Sequence, residues 1–320
     1  VAFRQLFFLI GRVYIGPETR GTRDRVGFRD RAQMAGDGEV GTGMSSGTIT
    51  PVLAVLLDPF RSIWRHREIF RRVLARDIQS SFRGSVLGLS WVLLVPLVLV
   101  AIYTFVFGVV LKSTWAVTPR SRYEVPLIFF TGLIVFGFFM EVITRAPNFI
   151  RENKTYVTKI IFPVDILCWV LVGTALFKLC VNLALLLVFI LIVTGGLPVR
   201  ALLVPVLMLP FIFFTTGLGW MLAAIGAFIR DLSHALQALG PIIMFISPIF
   251  YSVLQVPEAY RGPFFLNPLT FMLESMRGIL FFEQSFSASG YLIYLAASLV
   301  VFMGGYAFFQ RLRPGFADVV

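Results

Sequence analysis

The chain has 320 residues, of which 58% are hydrophobic and only 14% charged, against about 25% charged in soluble domains. A water-soluble fold cannot hide that much apolar surface. The formal charge of +11 lies outside the apolar runs, and no basic patch interleaved with stacking aromatics marks a nucleic-acid groove, so the excess reports membrane topology and anionic lipid.

Residues 1–50 are rich in Gly, Arg and Asp without sustained periodicity, and their brief "LFFLIGRVYIG" is too short to cross a bilayer and lacks the flanks of a secretory signal. We read this stretch as a disordered or over-translated extension with no folded role, the expected start being Met44 just before Ser45-Ser46-Gly47-Thr48. Intact mass of the native protein tests that expectation.

Over residues 60–83 the pattern becomes helical. Apolar Ile63, Phe70, Leu74, Ile78 and Phe82 recur on one side, with Arg65, Glu68, Arg72, Arg76 and Gln79 on the other, the spacing of an amphipathic helix lying along a membrane surface. Gly84 and Gly88 follow where the chain must turn into the bilayer.

Six spans are then expected, at about 86–111, 124–145, 164–194, 200–228, 236–254 and 289–310. Such long apolar runs suit only helices, because lipid offers no partner for backbone N–H and C=O groups. Arginine and lysine cluster before span one, between spans two and three (Arg145, Arg151, Lys154, Lys159), after span four (Arg230) and after span six (Arg311, Arg313). By the positive-inside rule those regions and both termini are cytoplasmic. On the opposite side Arg261 and Arg277 are outnumbered by Glu258, Glu274 and Glu283. Residues 255–288, broken by Pro257, Pro263 and Pro268, leave two short amphipathic pieces that we expect to re-enter the outer half of the membrane as a gate.

The expected architecture is therefore an all-α integral membrane protein of six transmembrane helices. Cys168 and Cys180 share one apolar run, where a continuous helix holds them about 18 Å apart, and no metal-ligand spacing occurs. His66 and His234 sit in basic segments as surface residues.

Six stretches in order, "RDIQSSFRGSVLGLSWVLLVPL", "NKTYVTKIIFPVDIL", "FIRDLSHAL", "ISPIFYS", "LNPLT" and "RLRPGFADVV", resemble the membrane subunit of ABC-2 type polysaccharide exporters, the O-antigen, capsule and teichoic acid permeases. The resemblance covers residues 60–320, and residues 1–50 have no counterpart in it. It implies a homodimer in the cytoplasmic (inner) membrane of a bacterium, recruiting a separate ATPase subunit and moving a lipid-linked polysaccharide outward. Carried onto this chain, it implies an ATPase-coupling segment at Asn148, Arg151, Glu152, Asn153, Lys154 and Tyr156, with Arg230 and Asp231. It also implies a passage between spans one and five, for which Trp91, Tyr103, Phe105, Phe107, Phe245, Phe250 and Tyr251 are the stacking candidates.

The residues read alone agree with an external energy source. No G-x-x-x-x-G-K-[ST] loop occurs, so ATP and Mg are expected on a partner and no cofactor in this chain. Lys178 is the one ionisable residue well inside a span; it either contacts a passing sugar or pyrophosphate or is paired with a neighbouring group. Arg65, Arg72, Arg76 and Arg83 are the candidate entry point for a lipid pyrophosphate. A drug or simple-lipid exporter keeps the same fold. A membrane-embedded glycan-synthesis enzyme would need converging carboxylates or a metal site, and here the acids are scattered. A passive channel would need a charged ring, which is absent from the sequence.

Overall fold

A backbone that crosses a bilayer must satisfy its own polar groups, and every regular element among the described residues is helical. The computed structural model describes residues 50–81, 85–110, 124–157, 163–284 and 287–316. The expected extension before residue 50, along with Gly84, Arg83 and Phe82, lies outside them. Residues Val55–Val320 form one compact unit.

In chain order the helices are α1 (Thr50–Arg65), α2 (Arg67–Ser80), α3 (Trp91–Tyr103) continued by a π-helical stretch Thr104–Val110, α4 (Glu124–Glu152), α5 (Lys154–Val157), α6 (Asp165–Thr194), α7 (Val204–Phe228), α8 (Leu232–Ile246), α9 (Glu258–Leu266), α10 (Pro268–Phe281) and α11 (Ala288–Leu312). Among the described residues four are long and apolar enough to cross a membrane: α4, α6, α7 with the turn before it, and α11 with the turn after it. They coincide with the expected spans two, three, four and six.

α4 is the central helix, buried along most of its length, whereas α6 is buried mainly over its first third and α11 at only a few positions. Small residues let the backbones meet. A Cβ at Gly305 of α11 would run into the Gly217 carbonyl oxygen of α7, and one at Gly226 into Cα of Pro147 in α4. Without a hydrophobic drive between helices in lipid, such close backbone packing is what holds them together.

Three expectations are corrected. The single surface helix over 60–83 is bent at His66 (φ −114°, ψ 29°) into α1 and α2, although the ladder persists through His66 N donating to Ser62 O and Phe70 N donating to His66 O. Its apolar face is not left to lipid: Val73 is buried, and Leu74 and Phe70 lie against Gly173 of α6, where a Cβ would come 3.0 Å from Leu74 Cδ1. Span five does not run 236–254; α8 starts earlier and stops at Ile246, because Pro248 holds Ser247 in extended backbone (φ −85°, ψ 141°). Span two does not stop at Arg145; α4 continues through Pro147 to Glu152, with Gly226 making room for the proline ring.

Two further helices among the described residues are apolar but shorter, Trp91–Phe107 with 17 residues and α8 with 15, about 25 Å and 23 Å at 1.5 Å per residue. The segment over 255–288 does form two short helices, with Pro257 capping α9 and Pro268 opening α10. α10 is packed into the protein, its Leu269, Met272, Leu273, Met276 and Ile279 all buried.

Candidate functional site

The polar geometry of the molecule gathers where α2 crosses α4 and α6. Consecutive residues of α2 reach in two directions. Arg76 donates to Tyr156 Oη at 2.7 Å and to Asn153 Oδ1 at 3.1 Å, its guanidinium 4.7 Å from the Tyr156 ring centroid. Asp77 accepts from Thr174 Oγ1 of α6 at 2.6 Å and from Arg145 Nη2 of α4 at 3.1 Å.

The chain of charge continues deeper. Arg145 Nη1 lies 3.4 Å from Glu141 Oε1, and the same oxygen accepts from Lys178 Nζ at 2.6 Å. Asp77 and Glu141 are 13% and 17% exposed, Arg145 and Lys178 28% and 29%, so solvent screens them weakly. Taking an unpaired ion out of water costs several kcal/mol. Two acids and two bases in one chain cancel that charge locally, which is what makes the set tolerable beside apolar helices. The Lys178 ammonium is thus held by Glu141; no passing ligand is needed to account for it.

The expected coupling residues occupy one end of this network. Asn148, Arg151 and Glu152 are in the last turns of α4, Asn153 is a buried turn, and Lys154 and Tyr156 lie on α5. Asn153 Nδ2 donates to Phe149 O at 3.0 Å, closing the end of α4, and Arg151 Nη2 donates to Asn148 Oδ1. Asn153 and Tyr156 face inward to Arg76, while Glu152 and Lys154 are exposed. Arg230 and Asp231 are exposed between α7 and α8, and among the described residues neither makes a side-chain bond to this segment. Of the expected entry arginines, Arg65 and Arg72 are exposed, Arg76 is engaged as above, and Arg83 lies outside the described residues.

The aromatic candidates divide. Phe107 sits 4.3 Å from Phe129 and 5.8 Å from Phe250, with Tyr103 at 6.0 Å from Phe107 and Phe245 at 6.5 Å from Phe250, all ring centroids. α3 with its π extension and the broken end of α8 therefore meet through rings, over α4. Phe107 lies on the π stretch, and Thr104 Oγ1 donates to Val100 O at its start. Among the described residues Trp91, Phe105 and Tyr251 add no ring to this cluster. Trp91 Nε1 donates to Ser85 Oγ at 2.7 Å, Phe105 is exposed, and Tyr251 Oη donates to Phe245 O at 2.8 Å, covering the end of α8.

One residue with a large structural part was counted in the sequence only as a loop charge. Arg277 of α10 is fully buried, and its guanidinium donates to Ile128 O of α4 and to Pro248 O and Ile249 O just beyond α8. Gly132 makes the space, since a Cβ there would meet Nη2 at 2.8 Å. Asn267 Nδ2 donates to Ser247 Oγ at 3.0 Å, so the "LNPLT" and "ISPIFYS" stretches are bonded to each other. The signal for Arg277 was available: an arginine inside "FMLESMRGILFF" stands among apolar residues on both sides. Among the described residues no group of three His, Cys, Asp or Glu is placed to hold a metal ion.

Comparison with known proteins places the chain in a family. Residues 68–281 match the model of the ABC-2 type transporter family. The O-antigen export system permease protein RfbA of Myxococcus xanthus is 26% identical over 262 residues, which is 81% of this chain and 98% of that protein. Two proteins of the same name from Klebsiella pneumoniae are each 25% identical, over 77% of this chain and 92% of their own length. The matched region holds α2, the ion chain, the α4–α5 end and the Arg277 cluster within one continuous stretch, and the chain belongs to the ABC-2 type transporter family.

Proposed function

We propose that this chain is the permease subunit of a bacterial ABC exporter that moves a polyprenyl-pyrophosphate-linked polysaccharide, of the O-antigen or capsule kind, outward across the cytoplasmic membrane. The observation that carries the reading is the near-complete alignment with the Myxococcus xanthus O-antigen export permease, 98% of whose length is covered. The geometry supports it in one further way. The α4–α5 turn presents Glu152 and Lys154 outward while Arg76 braces its inner side, a rigid mixed-charge knob suited to a groove on a nucleotide-hydrolysing partner.

In this reading the chain forms a homodimer with two ATPase subunits, and both termini face the cytoplasm. α3 and α8 serve as the first and fifth crossings despite their length, and α9–α10 re-enter from the outer side as a gate. The ring cluster of Tyr103, Phe107, Phe245 and Phe250 offers flat faces to sugars, which need no single fixed geometry to stack. Exposed Arg72 lies near the entry of the lipid pyrophosphate.

Depletion of the protein in its host, followed by sidedness labelling of lipid-linked glycan, tests the reading. Finished polymer is expected to accumulate at the cytoplasmic face. Polymer that never forms, or glycan that is unchanged, would refute it.

A further inference from the structure

A cleft of about 780 Å³ opens between the α1–α2 bend, the start of α6 and the end of α11, a size within the usual range for small-molecule sites. Its place is informative: α6 and α11 are two of the four helices able to cross a membrane, so the cleft lies at the level where a span meets water. Phe60 forms the apolar floor, stacked on Phe302 at 5.6 Å and 5.7 Å from Trp169. At the rim Trp64 is 76% exposed, an amphipathic ring of the type that settles at headgroup depth.

The polar lining carries a count of charge. Arg61 lies 3.9 Å from Asp58, and Arg313 lies 3.9 Å from Asp165. Each carboxylate is thereby matched by one guanidinium. Arg65 and His66 line the same cleft, and among the described residues Arg65 has no carboxylate partner. Among its arginines and aspartates the lining carries one net positive charge, which is the complement of one phosphodiester, whereas a pyrophosphate would bring at least one more negative charge. An apolar floor, an indole rim and a single excess cation at the end of two spans match the headgroup region of an anionic phospholipid; basic pockets between spans are known to hold such headgroups.

We infer that this cleft is a binding site for one anionic glycerophospholipid of the surrounding bilayer, with Arg65 as its phosphate-contacting residue and Trp64 as its lid. The site depends on the membrane location of α6 and α11 and not on the cargo. Occupied, it fastens the α1–α2 bend to the ends of those two helices.

Mass spectrometry of lipid retained by the purified full chain, after exchange into detergent from vesicles of equal phosphatidylglycerol and phosphatidylcholine, tests the proposal. Wild type and Arg65→Lys are expected to retain phosphatidylglycerol selectively, and Arg65→Gln to lose that selectivity several-fold. Arg71→Gln, which removes an exposed arginine outside the cleft, is expected to behave as wild type. Trp64→Ala gives a second variant should Arg65→Gln not fold, with faster loss of the retained lipid expected. Equal retention of the two lipids, unchanged retention in both Arg65→Gln and Trp64→Ala, or equal loss in Arg71→Gln would overturn the proposal. Displacement by excess inorganic phosphate would assign the cleft to a soluble anion, and retention of polyprenyl pyrophosphate in place of phosphatidylglycerol would assign it to the cargo; either result refutes it.

Discussion

At the scale of single residues, burial decides what a charge is for. Arg277 donates to three carbonyl groups, that of Ile128 within α4 and those of Pro248 and Ile249, which lie beyond the end of α8. Replacing it by Leu takes the donor from Pro248 O and Ile249 O in a closed space, and each unsatisfied buried group costs about 1–3 kcal/mol. Arg277→Leu is therefore expected to lower the unfolding temperature in detergent more than any single exposed arginine change. Arg277→Lys should recover only part of the loss, because one ammonium cannot spread to three diverging acceptors as a planar guanidinium does. This residue also shows where sequence reading stops: an arginine in an amphipathic stretch looks like a topology marker until the chain brings the broken end of α8 against it.

At the scale of elements, the contacts that matter are pairwise and can be separated. α7 and α11 touch through Gly217 and Gly305, so Gly305→Leu should force them apart, while Gly304→Leu, whose Cβ would meet nothing within 4 Å, should be tolerated; thermal unfolding in detergent of the two variants gives the comparison. α2 is joined to α4 and α6 through Asp77, Arg145 and Thr174. A double-mutant cycle of Asp77→Asn and Arg145→Gln is expected to show a coupling of about 1–3 kcal/mol, as for directly bonded, weakly screened pairs; additive effects would mean that the ion pair holds nothing. The amphipathic periodicity of α2 was plain in the sequence, yet the surface it covers was not. Periodicity says that one face is apolar, and says nothing about whether lipid or another helix meets it. Gly173 on α6 decides the matter here by allowing Leu74 to come within reach.

At the scale of the molecule, the exporter reading predicts that a charge exchange on the exposed knob, Glu152→Lys with Lys154→Glu, weakens capture of the ATPase subunit by about tenfold, the effect of roughly 1.4 kcal/mol, with an unchanged unfolding temperature. Co-purification from membranes measures it, and full capture by the exchanged chain would remove the knob from the docking surface. The composition, the long charge-free runs and the six ordered stretches carried a great deal. They placed this chain in a membrane, located the four long apolar helices to within a few residues except at the far end of α4, and pointed to the family. Those features are local or additive along the chain, and hydropathy and turn chemistry are read one window at a time. What only the tertiary structure decided is which charges meet. Arg76 with Asn153 and Tyr156, Asp77 with Arg145 and Thr174, Glu141 with Lys178, and Arg277 with two helix ends are pairings between residues far apart in sequence. A side chain's partner is set by the packing of whole helices, and that packing depends on where small residues let backbones close, a property of two surfaces together that neither segment carries alone.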